Sequence, residues 1–207
     1  MSVHGVGIVA ISISLTVSAY ASDPFLDAKD DKPVSANFRG TEWNDEFPEH
    51  DIPHDIPLTA RVITTRIAKM PWGAIFKIEF TDVKSRALEE HEIPEPRYFI
   101  VTDDRIVLLN EEDNEAAAKK ISAMENPPEF EPNNIYGITT GKFSHKEGLW
   151  EATIEVKGNL CVYLDEHPSG HFTKIVWEKG VGLIEYAMGY GAGREGFRLK
   201  RSTPKKS

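Results

Sequence analysis

The chain has 207 residues, of which 40% are hydrophobic and 28% charged, a globular composition that excludes a disordered polypeptide. Lysine and arginine number 24 against 33 acidic residues, a formal charge of −9, so nucleic acid and anionic membrane surfaces are not expected partners. Cys161 is the only cysteine, which excludes an intramolecular disulfide and leaves the fold to its hydrophobic core.

From the N-terminus, the apolar run Val6 to Val17 precedes Ala19-Tyr20-Ala21, a small-x-small site. A run of this length suits a signal peptide over 1–21 and falls short of a spanning helix, which needs about 20 apolar residues. The expected product is a periplasmic or secreted bacterial protein with no transmembrane segment after cleavage. No cysteine stands at the cleavage site, so lipid anchoring is not expected. Residues 22–57 read as a loose acidic leader, broken by Pro48, Pro53 and Pro57.

A single β-rich domain is expected over 58–201, ahead of a flexible basic tail at 202–207. The β-branched Arg61 to Ile67 reads as a strand. Phe76, Ile78 and Phe80 alternate with Lys77 and Glu79, as a half-buried strand requires, and Met70-Pro71-Trp72-Gly73 makes a hairpin between the two. Tyr98 to Val101 and Arg105 to Leu109 flank Thr102-Asp103-Asp104, a second hairpin. Glu111 to Glu125 is the one good helix: Asn110 is its expected cap, and Ala117, Ile121 and Met124 form its apolar stripe. The last third is a meander. Ile135 to Thr140 leads to a turn at His145 to Gly148, and Trp150, Ala152, Ile154 and Val156 then alternate with polar residues. Gly158-Asn159 turns into Leu160 to Leu164; His171 to Trp177, Leu183 to Met188 and Gly196 to Arg201 follow. The fold class is therefore mainly β, an antiparallel meander forming a curved sheet or partly open barrel with one short helix.

Trp177-Glu178-Lys179-Gly180-Val181-Gly182-Leu183-Ile184, with the terminal strand through Phe197 and Leu199, resembles the end of uncharacterised exported bacterial β-domain proteins. Their shared motif is an aromatic residue, two variable residues, Gly-Val-Gly and an apolar strand. The resemblance implies an exported antiparallel β domain and no known chemistry.

Candidate chemistry is sparse. Glu49-His50-Asp51-Ile52-Pro53-His54-Asp55 places two imidazoles among three carboxylates, and His167-Pro168-Ser169-Gly170-His171 repeats the spacing in a turn. His50, His54, His167 and His171 are thus the metal-ligand candidates, although Pro53 excludes a helical His-x-x-x-His site. There is no Gly-x-Ser-x-Gly elbow, and Ser169 reads as a turn residue. Gly189 to Gly196 joins two strands, whereas a phosphate loop leads into a helix. Cys161, between Leu160 and Val162, reads as a core thiol. Trp43 and Trp72 are candidates to line an open mouth. No catalytic residue and no cofactor emerge. The expected function is non-enzymatic binding of an envelope component or protein partner, an inhibitor of a basic hydrolase being one form of it. The alternatives are a carrier of an apolar small molecule or lipid in a β cavity and a metal-assisted hydrolase.

Overall fold

The computed structural model describes residues 25–26, 32–44, 56–85, 97–190 and 195–203. The expected signal peptide, His50, His54 and most of the basic tail lie outside the described residues.

Twelve strands form one antiparallel sheet: β1 Val34–Asn44, β2 Ile56–Met70, β3 Gly73–Lys84, β4 Arg97–Thr102, β5 Arg105–Leu109, β6 Ile135–Ile138, β7 Lys142–Glu147, β8 Trp150–Lys157, β9 Leu160–Glu166, β10 Phe172–Glu178, β11 Gly182–Tyr190 and β12 Glu195–Arg201. Among the described residues there is one α-helix, α1 Asn114–Ser122, between β5 and β6. The order across the sheet is β6-β5-β4-β3-β2-β1-β12-β11-β10-β9-β8-β7. Each half is a meander, and β1 joins them by pairing with β12 from Phe38↔Arg201 to Asn44↔Glu195. The edge strands β6 and β7 follow one another in the chain, and β6 lies against β8 and β9. The sheet is therefore a nearly closed barrel, which hides most of its edge.

The seam is held by few contacts. Tyr136 of β6 stacks on Tyr163 of β9 at 4.4 Å, and the Ile138 amide donates to the Cys161 sulfur at 3.4 Å. The Val156 amide donates to the Gly141 carbonyl at 2.9 Å.

Aromatic rings fill the interior from both halves. Phe99 meets Trp177 edge-on at 5.3 Å, and Phe80 meets Tyr186 at 5.5 Å. An interior hollow bordered by these rings measures about 10 Å³. α1 packs against β2, β3 and β5 and buries its own Ala118.

Three expectations are corrected. Within the supposed leader, Val34–Asn44 is the strand that joins the two halves, Ile56 and Pro57 open β2, and Phe25 and Leu26 are buried. The inner face of β1 carries Gly40 and Glu42 where alternation predicts large apolar residues. Gly40 is required because a Cβ there would sit 1.6 Å from the Arg198 carbonyl oxygen on β12. Glu42 is buried and accepts a bond from the Ser85 hydroxyl at 2.6 Å. The helix starts later than expected: Asp113, not Asn110, is its cap, accepting from the amides of Glu115 and Ala116. Met124 lies beyond the helix, and its carbonyl accepts the Trp72 indole N–H at 3.0 Å. Trp72 consequently anchors the end of the helix rather than lining a mouth. Among the described residues, no helix is long and apolar enough to cross a membrane.

Candidate ligand cleft at the barrel rim

The β7–β8 and β9–β10 turns share one end of the barrel with the C-terminal ends of β1, β3 and β11. Gly148, at a φ of 60°, lets β7 turn into β8, and β7 runs on to Glu147 rather than turning at His145. The inner face of this corner follows from strand register. His145 stands opposite Ala152, and Ala152 opposite Asp165, so the three share one row across β7, β8 and β9. One step towards the rim, Glu147 stands opposite Trp150.

Alanine in the middle of that row leaves space that larger neighbours wall in. The result is a cleft of about 110 Å³ lined by Asn133, His145, Glu147, Trp150, Tyr163 and Asp165, with Ala152 at its base. Trp150 is 41% exposed, which leaves part of its ring to solvent beside the carboxylates. Asp165 has its carboxyl pushed above the usual range, first by burial and then by the charge of Glu166. The charge of His145 and a hydrogen bond from Tyr163 pull the other way. The Tyr163 hydroxyl is held protonated well beyond its ordinary range, mainly by burial and by the neighbouring Tyr136.

The β9–β10 turn supports the outer wall. Its ends close through His167 N–H to the His171 carbonyl at 2.9 Å, and Gly170, at a φ of 91°, completes the reversal. The Ser169 hydroxyl lies 2.7 Å from the Nδ1 atoms of both His167 and His171, and its amide donates to His167 Nδ1 at 3.1 Å. Because His167 Nδ1 accepts from that amide, the neutral ring carries its proton on Nε2. The hydroxyl then donates to His167 while accepting from His171 Nδ1–H. The His167 ring lies 5.1 Å from Trp150, and His171 lies 6.3 Å from Trp150 and 6.4 Å from Tyr190. The turn thus packs two imidazoles beside the tryptophan.

This placement bears directly on the metal candidates. His167 and His171 are brought together, but both Nδ1 atoms are engaged by Ser169. Among the described residues, no group of three His, Cys, Asp or Glu side chains is placed to hold a metal. A site combining this pair with His50 and His54 would need residues outside those described. Serine catalysis also lacks support, since the Ser169 amide that could face an oxyanion is bonded to His167.

Sequence reading singled out the turn histidines and missed His145, Glu147 and Asp165 as one cleft. The available clue was Asp165, two residues after Tyr163 on a strand whose inner face is otherwise apolar. Neither a protein-family model nor a curated protein matches the sequence.

Proposed function

We propose that the protein is an exported, non-enzymatic binding protein whose rim cleft receives a cationic side chain, arginine or lysine, presented by a protein partner. The observation that carries this reading is the exposed Trp150 face beside Glu147 and Asp165 in one cleft. An aromatic face attracts a cation through its quadrupole, and two carboxylates add directional acceptors for its N–H groups. A formal charge of −9 steers a basic partner towards this surface. The signal-peptide pattern supports export. The packed interior favours surface binding over an apolar cargo, because a hollow of about 10 Å³ accommodates a water molecule and no lipid chain.

The test is calorimetric titration with an arginine-rich peptide and with lysozyme as a basic protein, at low and at physiological salt. Saturable binding is expected, weakened by salt and reduced about tenfold or more by Trp150→Ala, as for a central aromatic anchor. Glu147→Gln should weaken binding and flatten its salt dependence. Binding left intact in Trp150→Ala, or absent for both probes, refutes the reading.

A further inference from the structure

The barrel leaves a strand edge open beside the rim cleft. β7 pairs with β8 on one side, and among the described residues no strand pairs with its other side. β6, which precedes it in the chain, packs against β8 and β9 instead. The hairpin decides which backbone groups face the opening. Gly148-Leu149 is a two-residue turn, so its flanking pair, Glu147 and Trp150, exchange hydrogen bonds. Phe143 and His145 are in phase with Glu147 and bond to β8 in the same way. At the foot of the hairpin the Val156 amide donates to the Gly141 carbonyl at 2.9 Å, which continues that phase. The N–H and C=O groups of Lys142, Ser144 and Lys146 therefore point away from β8, into the open edge.

Side chains alternate across the same strand. Lys142, Ser144 and Lys146 are exposed on its outer face, whereas His145 and Glu147 line the rim cleft and Phe143 is half-buried against the core. Lys142 stands opposite Glu155 and Lys146 opposite Glu151, so each lysine has a carboxylate neighbour on the β8 side. A strand laid along the edge would place its own side chains in these two rows. Acidic ones suit the positions beside the lysines, and a basic one suits the position beside Glu147 at the cleft. A second copy of this chain fits poorly. The register that engages all three open residues would set Lys142 of each copy opposite Lys146 of the other.

We propose that the protein takes its partner by strand addition: an extended segment, acidic on one face and basic on the other, pairs with β7 and lays its basic residue in the rim cleft. The inference rests on the cleft reading above and adds the way the cation is presented. Main-chain bonds to Lys142, Ser144 and Lys146 supply affinity, and alternate side chains supply selection. Lysines on an edge strand also discourage indiscriminate pairing, so the edge admits a charged complement rather than any strand.

Amide exchange and calorimetry with the capped peptide Arg-Glu-Val-Thr-Val-Glu test this. In antiparallel register its Arg stands opposite Glu147 and its two Glu residues opposite Lys146 and Lys142. In the free protein the amides of Lys142, Ser144 and Lys146 should exchange fast while those of Phe143 and His145 are protected. Added peptide should protect the first three. Methylation of the peptide's Thr nitrogen, which faces β7, should weaken binding about tenfold or more, and methylation of a Val nitrogen, which faces away, far less. Ser144→Pro, which removes an edge donor and no bond to β8, should weaken binding similarly. Strand addition is overturned by any of three results: no binding, equal binding of the two methylated peptides, or protection of the three amides before peptide is added. Protection that grows with protein concentration would assign the edge to self-association and overturn it equally. If Trp150→Ala still weakens the arginine-rich peptide in any of these cases, the cleft reading survives alone.

Discussion

At the residue scale, Asp165 is held in an environment that opposes its ionisation. Burial in the cleft and the charge of Glu166 push its carboxyl up, and the contrary pull of His145 and Tyr163 does not offset them. The sign of the consequence follows from proton linkage. With a folded pKa above the ordinary value of 3.8, the native state binds more protons than the unfolded chain between the two values. Stability therefore falls as pH rises from near 3.8 through the folded value, and stays at the lower level above it. Asp165→Asn removes this titration. The variant should be more stable than the unaltered protein at neutral pH, by a margin that shrinks in acid, while binding the arginine-rich peptide less tightly. Urea denaturation at neutral and acidic pH, paired with calorimetry, checks both halves. A variant less stable at neutral pH would mark Asp165 as structural. Residues of this kind are poorly legible in a sequence. Asp165, Gly40 and Glu42 break an alternating pattern, and each has a reason that only its neighbours in space reveal: a cleft, a close backbone approach, a hydroxyl donor.

At the scale of elements, legibility followed the strength of the local pattern. β3 and β8 alternate cleanly because each has an apolar inner face, β9 does so as far as Tyr163, and the positions of all three agree with the periodic reading to within a few residues. β1 failed that reading because glycine and glutamate occupy its inner face. The helix was legible in its existence and misjudged at its start. Asn114 turns its side-chain oxygen to the Glu111 amide, which ties the preceding residues into a turn and leaves Asp113 to cap. Asp113 accepts from two amides, at 3.1 and 2.9 Å, that would otherwise be orphaned. Asp113→Ala should lower stability by about 1 kcal/mol, the usual loss for an N-cap. The helix packs against β2, β3 and β5, so the loss should also speed amide exchange in those strands more than in β10 and β11. Equal acceleration everywhere would show that α1 does not protect the sheet locally.

Across the whole molecule, the two joints between the half-sheets differ in kind. The β1–β12 joint is a seven-residue ladder of paired backbone, whereas the β6 joint rests on a tyrosine stack and an amide–sulfur bond. β6 has only four residues, and its pairing with β5 is interrupted by a register shift at Ile106/Val107. Few backbone bonds and a short element place this seam at the low end of the stability scale within the fold. Cys161 reports on it, because the thiol is fully buried and accepts from the Ile138 amide across the joint. The native thiol should resist a disulfide reagent, since reaction requires an exposed thiolate. In increasing urea, labelling should begin below the global midpoint, as β6 leaves β9 while the β1–β12 ladder holds. Cys161→Ala should add a loss of about 1–3 kcal/mol, the cost of leaving a buried amide without its acceptor. Exchange of the Ile138 amide should quicken in that variant before the amides of β1 and β12 do. If labelling of Cys161 coincides with the loss of global structure at every urea concentration, the seam is no weaker than the ladder. The barrel would then unfold as one cooperative unit, and the short β6 strand would owe its stability to the tyrosine stack rather than to its backbone pairing.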